Sequence, residues 1–339
     1  MELLEPVGFR KIIDPNGIFQ MLIPLTWRYW VMKGELHSFE DNEIGDDEDC
    51  FQLSLLPLTE EERSKLAEAL GYLPPTQVGD FDCRGHKDSQ DDDCVTKAWS
   101  TIYGYYHIYF TFTYRPHYKK EYREIELMNK LKVVFTVFST FDLIPEEHRE
   151  HLVTSHRFQI FLQGIGASNL LVKKAIENKA FFEATCLFGN QIDSLLRIGI
   201  VLKQQIIDKN DVIGREWIYQ GANDKKKSEK DVYKKALALG VITDDMYDAL
   251  YELYEDRNRV IHRFIISEIT LAEVETIAYD YYFLREEIKI IIDDLETEQV
   301  GLNVGMTITD ENDPGNRSPN LVDILGKIGT VSYFESKEL

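Results

Sequence analysis

The sequence predicts an α+β chain, with mixed α and β structure in its first 145 residues and helices alone in its second half. Three observations carry this. Residues 95–113 hold two runs rich in Tyr, Phe, Thr and Ile on either side of Gly104, which is the chemistry of a β-hairpin. From Pro145 to His156 the composition turns to Glu, His and Arg behind a proline, which reads as a domain boundary. Beyond it only helical periodicity is found. A length of 339 residues sets a prior of two domains, and 44% hydrophobic with 12% aromatic content suffices for two cores.

Taken in order, Asp14-Pro15-Asn16-Gly17 is a turn and Ile18–Ile23 a strand after it. Residues 34–50 are acidic and loop-like. Phe51–Leu56 is a second strand, and Glu60–Leu70 a short helix that Gly71 closes. Residues 80–94 read as another acidic loop. The hairpin Val95–Ile102 with Tyr105–Thr113 follows. Then comes a helix over Glu121–Phe138, with Ile125, Met128, Leu131, Phe135 and Phe138 on one face. In the second half Asn178–Asp208 reads as one long helix, with Phe182, Gly189, Ile192, Leu196 and Gly199 near one face. Residues 209–227 are a polar connector containing Lys225-Lys226-Lys227, and Ser228–Leu239 is helical. Thr243 caps a helix running to about Phe264, with Asp244 and Asp245 where carboxylates suit the helix dipole. Thr270–Glu298 is the last long helix, and the tail from Gly301 reads as mobile.

The totals exclude several classes. A formal net charge of -21 opposes the approach of phosphates, so any nucleic-acid chemistry needs a local basic pocket. Four cysteines, at 50, 83, 94 and 186, do not make a disulfide framework. Met1-Glu2-Leu3-Leu4-Glu5-Pro6 lacks the basic and apolar regions of a signal peptide. Largely apolar runs such as Ile288–Ile292, which includes Lys289, are far below the roughly 20 residues of a membrane span. The expectation is a soluble cytoplasmic protein with no membrane association.

The helix from Asp244 to Phe264 carries the chemistry. Its apolar seam is Met246, Leu250, Leu253, then Arg257, then Val260 and Phe264. A guanidinium in that seam is costly unless something anionic or polar meets it. Asn258 and His262 are four residues apart and share a face, so the Asn is placed to orient the imidazole. With Arg259 and Arg263 the segment concentrates three Arg and one His, the local basic pocket that an acidic chain needs. Such a set suits metal-free RNA cleavage. His262 takes the proton from a ribose 2′-hydroxyl, and Arg257 stabilises charge developing on phosphorus. One His cannot be base and acid in the same step, so a two-fold dimer bringing two motifs together is expected, with a 2′,3′-cyclic phosphate product. The plainer alternative stays open: Arg257 paired with Glu255, Asp256 or Asp193, and His262 merely opposing the helix dipole.

An Arg, a polar residue, a short spacer and a His late in a helix of an all-α domain resemble the signature of the HEPN superfamily, Arg-x4-6-His. Here the spacing is four residues with Asn258 in the polar slot. The resemblance covers roughly residues 165–298. It implies a bundle of four to five helices, a dimer with motifs facing across a cleft, and metal-independent endoribonuclease activity in many members. In other members it implies only nucleotide or RNA binding. Some toxin members carry a Tyr two residues after the His that a partner enzyme adenylylates. Phe264 stands there, which puts such control in doubt. In the first half, strand 18–23 leading into Pro24-Leu25-Thr26-Trp27 is similar to the opening of PsbP-like domains, as is the long helix ending near Phe138-Ser139-Thr140-Phe141. That resemblance covers about residues 8–143. It implies an α/β sandwich with a binding or scaffold role, a protein partner and no catalytic residue.

The expected division is therefore 1–145 α/β sandwich with an antiparallel sheet, 146–164 linker, 165–299 HEPN-like helical bundle and 300–339 flexible tail. The expected function is a HEPN-type endoribonuclease, in a defence or toxin–antitoxin setting, with RNA and a second copy as partners. Arg257, Asn258 and His262 are the catalytic candidates, and Arg259, Arg263 and Asp193 the RNA-binding ones. The alternative is a non-catalytic dimeric interaction or RNA/nucleotide-binding protein. No cofactor and no metal is expected: Cys83, His86 and Cys94, with Cys50 and acidic neighbours including Asp80, Asp82 and Asp91 to Asp93, match no trusted zinc spacing. Lys225-Lys226-Lys227 reads first as a solvated connector and only second as a phosphate contact. The aromatic run Trp99–Tyr114 reads first as core and only second as a base-stacking platform.

Overall fold

The computed structural model describes residues 3–5, 7–32, 36–41, 49–90, 94–115, 120–220 and 226–306. The chain divides into two compact units, Met1–Val153 and Thr154–Leu339. The first is α/β with antiparallel sheets and the second is helical, so the chain is α+β.

The first unit is ordered β1 (Phe9–Ile13), β2 (Phe19–Pro24), β3 (Trp27–Val31), β4 (His37–Asp41), β5 (Cys50–Pro57), α1 (Glu60–Leu70), β6 (Pro75–Val78), β7 (Phe81–Gly85), β8 (Ser89–Gln90), β9 (Val95–Tyr103), β10 (Tyr106–Tyr114), α2 (Lys120–Ser139) and β11 (Asp142–Leu143). One sheet runs β1-β2-β11. The larger runs β3-β4-β5-β10-β9-β7-β6, with β8 beside β9. The expected hairpin is its centre, β9 with β10, turning at Gly104 with Tyr103 opposite Tyr106. A positive φ of 59° at Gly104, the first of the two loop residues, is the geometry that a glycine accepts there without strain.

Two segments expected to be acidic loops contain strands. In β7, Phe81, Cys83 and Gly85 are buried while Asp82 faces out and Arg84 is half-buried, a period-two pattern that the surrounding aspartates obscured. In β4, His37, Ser38 and Phe39 are buried in succession. Residues 42–48 and 91–93 of the expected loops lie outside the described residues. On α2 the buried face begins at Leu131 and continues through Val134, Phe135 and Phe138. Ile125 and Met128, expected on that face, are exposed. The aromatics of β9 and β10 are core: Phe110 stacks on Phe138 with centroids 4.0 Å apart, and Trp99 meets Phe135 edge-on at 5.0 Å. That burial removes Trp99 and Phe110 from any base-stacking role.

The helices of the second half are α3 (Arg149–Glu177), α4 (Phe181–Asp208), α5 (Arg215–Ile218), α6 (Glu229–Ala238), α7 (Asp244–Arg263) and α8 (Leu271–Leu302). Residues 146–164, expected to be a linker, are a short 3-10 turn and the first part of α3. Glu, His and Arg suggested a boundary, yet Leu162, Ile165 and Val172 keep helical spacing and are buried. The helix expected from Asn178 begins at Phe181, after Lys179 has turned to a φ of 54°. Helix α4 is the centre of the bundle: Leu195, Leu196, Ile198, Ile200, Val201 and Leu202 are all buried, so it is apolar nearly all round. Gly199 lets it approach closely, since a Cβ there would lie 2.8 Å from Val241 and 3.0 Å from Ile292. Capping boxes at Ser228 with Asp231 and at Thr270 with Glu273 start α6 and α8, and Thr243 caps α7. Helix α8 runs past Glu298 to Leu302, and residues 307–339 of the expected tail lie outside the described residues. Among the described residues no helix is long and apolar enough to cross a membrane.

Candidate functional site

Helix α7 buries Leu250, Leu253 and Val260, and Arg257 lies on that seam with its side chain 12% exposed. The anion that meets it is Glu229, the first residue of α6: Arg257 Nη1 donates to Glu229 Oε1 at 2.5 Å. Burial works against the charge of Arg257, but the bond to Glu229 outweighs it and holds the guanidinium more firmly protonated than usual. The guanidinium fits because α4 carries Gly189 opposite it, where a Cβ would lie 3.2 Å from Nη1. Tyr254 places its ring 5.0 Å from the guanidinium carbon. Tyr281 of α8 closes the floor, its hydroxyl donating to the Leu253 carbonyl at 2.8 Å. Tyr233, one turn beyond Glu229, is fully buried, and burial together with the Glu229 charge pushes its phenol well above the usual range.

The other expected site residues fall differently. Asn258 was expected to orient His262. Instead its Oδ1 accepts from Arg257 Nη2 at a long 3.5 Å, and among the described residues no hydrogen bond joins Asn258 to His262. His262 is exposed near the end of α7. Arg259 pairs with Asp256 at 2.8 Å. Arg263 is exposed. With Arg257 and Arg259 both neutralised, the segment is a less basic pocket than its composition suggested. Asp193 sits on α4 and is bound by Arg197 Nε at 2.6 Å, and Arg197 goes on to donate to the Trp217 carbonyl at 3.1 Å. Burial raises the Asp193 carboxyl, with Arg197 opposing it. Asp193 thus holds Arg197, which ties the connector to α4, and both its oxygens accept from that guanidinium. Lys227 lies 3.5 Å from the centre of the Trp217 ring, and Lys225 is outside the described residues.

The sequence reading missed Glu229 and Gly189. An Arg on an apolar seam called for a carboxylate, but nothing local says which helix supplies it. Gly189 lies near the expected face of a long helix, and its purpose shows only when α7 is packed against α4.

For the cysteine and histidine set in the first unit, Cys83 is buried in β7, and its thiol is pushed up to about 12 by burial. His86 Nε2 lies 2.6 Å from the Ser100 hydroxyl. Among the described residues no three of His, Cys, Asp or Glu gather as a metal would require.

No protein-family model and no curated protein matches the chain. Solved structures match in part. One from Bacteroides thetaiotaomicron VPI-5482 is 15% identical with a TM-score of 0.33, covering 53% of this chain and 69% of that one. The solution structure of cyanobacterial PsbP (CyanoP) from Synechocystis sp. PCC 6803 is 13% identical with a TM-score of 0.23, covering 42% of this chain and 99% of that one. Neither likeness is close enough to carry an argument.

Proposed function

We propose that the helical unit is a HEPN-type domain that cleaves RNA without a metal, using one motif from each of two copies. The observation that carries the reading is Arg257, a guanidinium kept in an apolar seam, anchored through Nη1, with Nη2 held among the described residues only by the long contact to Asn258. His262 stands exposed at the end of the same helix, beside Ile265 and Ile266, which are 93% and 82% exposed. Apolar side chains so exposed suit burial against a second copy.

In the proposed reaction His262 accepts the proton of the ribose 2′-hydroxyl. The 2′-oxygen bonds to phosphorus as the bond to the 5′-oxygen breaks, and the imidazolium of the second copy protonates that leaving oxygen. The products are a 2′,3′-cyclic phosphate and a 5′-hydroxyl. Arg257 Nη2 donates to a phosphate oxygen. The setting fits a cytoplasmic defence or toxin–antitoxin component. The first unit then serves as a PsbP-like binding or scaffold domain with a protein partner.

Purified protein incubated with RNA in EDTA should release cyclic-phosphate ends, and His262→Ala should slow this by about a hundredfold or more. Absence of cleavage by the wild type, or cleavage unchanged by the substitution, overturns the catalytic reading. A second reading is a non-catalytic dimeric RNA-binding or interaction module. The pairing of Arg257 with Glu229 and of Arg259 with Asp256, in a chain of net charge -21, favours it. Dimerisation and an RNA gel shift without cleavage would select that reading.

A further inference from the structure

The connector between α4 and α6 is basic in an acidic chain. From Arg215 to Lys227 it holds four cations against two carboxylates, where the whole chain carries -21. Two aromatic side chains stand among these charges. Lys227 Nζ lies 3.5 Å from the centre of the Trp217 ring. Tyr219 is 38% exposed, with the Arg157 guanidinium against its ring at 3.7 Å and that of Arg215 at 5.9 Å. The arrangement is anchored from inside the bundle. Buried Arg197 donates to the Trp217 carbonyl at 3.1 Å and to the Lys227 carbonyl at 3.4 Å, and Gln220 Nε2 donates to the same Lys227 carbonyl at 3.3 Å. Trp217 and Lys227 are thereby tied to one guanidinium, which Asp193 holds. This is a fixed surface, not a solvated tether.

The cations on it face solvent. Arg215 and Lys226 are exposed. Glu216 lies 4.0 Å from Lys227 with 58% of its side chain exposed, and an exposed pair at that separation is weak. The surface also adjoins the candidate site: Lys227 is two residues before Glu229, the partner of Arg257, and Asp193 feels the charges of both Glu229 and Arg257. Cations beside exposed aromatic rings are the combination that receives a single-stranded nucleic acid, the cations taking phosphates and the rings stacking on bases. A duplex hides its base faces and meets only the cations.

We propose that Arg215, Trp217, Tyr219, Lys226 and Lys227 form a binding site for single-stranded RNA that leads the strand to Arg257. The choice of RNA rests on the reading of the helical unit as a ribonuclease; the stacking surface itself does not. Fluorescence anisotropy of the His262→Ala chain with an oligouridylate of about ten nucleotides reads binding without cutting. The single strand is expected to bind about tenfold tighter than the same strand annealed to oligoadenylate. Tyr219→Leu is expected to weaken it about tenfold, and Tyr219→Phe, which keeps the ring, to leave it unchanged. Lys226→Gln with Lys227→Gln should lower the slope of log affinity against log salt by about 1.4, at about 0.7 for each phosphate contact. These exposed or half-buried lysines decide the matter if Tyr219→Leu fails to fold. Binding that falls with Tyr219 and the lysines, in a protein whose wild type never cleaves RNA, supports the proposal and overturns the catalytic reading alone. Cleavage by the wild type with binding indifferent to these variants overturns the proposal alone. Failure of the oligonucleotide to bind, or equal affinity for strand and duplex, also overturns it.

Discussion

Arg257 and Glu229 are each mostly buried, and neither has a second full-strength partner among the described residues to fall back on. Removing one partner of such a pair leaves a charge in the bundle, whereas replacing both by apolar side chains of similar volume does not. Glu229→Met is therefore expected to lower unfolding free energy by about 2–4 kcal/mol, and Arg257→Met combined with Glu229→Met to recover most of it. Urea unfolding of both variants measures this. A single variant within about 0.5 kcal/mol of wild type would show the pair to be solvated and structurally idle. At this scale the sequence was informative about the oddity and silent about its resolution. Arg257 stood out because an Arg broke a run of aliphatic positions. Its partner lies 28 residues away on another helix, and the acids that competed for the assignment, the adjacent Glu255 and Asp256 and the more distant Asp193, are bonded to Lys230, Arg259 and Arg197.

Among the elements, α4 was the most legible, because an apolar helix of this length has one place to go, the middle of the bundle. Its close packing rests on Gly199. Gly199→Ala gains about 1 kcal/mol of helix propensity. Overpacking against Val241 and Ile292 costs about 1–3 kcal/mol. A net loss of about 1 kcal/mol in chemical denaturation is expected, and a gain in stability would mean that the helices can part without cost. The strands were less legible. Charged residues hid the period-two pattern of β7, and the successive buried residues of β4 have no period to find. Helix α3 was hidden for a different reason. Its first turns carry Glu, His and Arg, a boundary-like composition over a helical apolar spacing, and burial follows the spacing.

For the whole molecule, a net charge of -21 makes association depend on local surfaces. If two copies meet near the end of α7, light scattering should give twice the single-chain mass, and Ile266→Asp should return the protein to single chains. Exposed as it is, that side chain contributes little to the fold, so thermal stability of the separated chain is expected to change by no more than about 0.5 kcal/mol. A wild-type chain that is already monomeric removes the composite site.

The sequence by itself determined the α+β division, the central hairpin with its glycine turn, the helix capped by Thr243 and the anomaly at Arg257. All of these follow from periodicities and turn chemistry that act within a few residues. Only the tertiary structure decided that Glu229 meets Arg257, that Gly189 leaves room for it, and that Asp193 belongs to Arg197. Each of these depends on which faces of distant elements come together, and no local pattern encodes that.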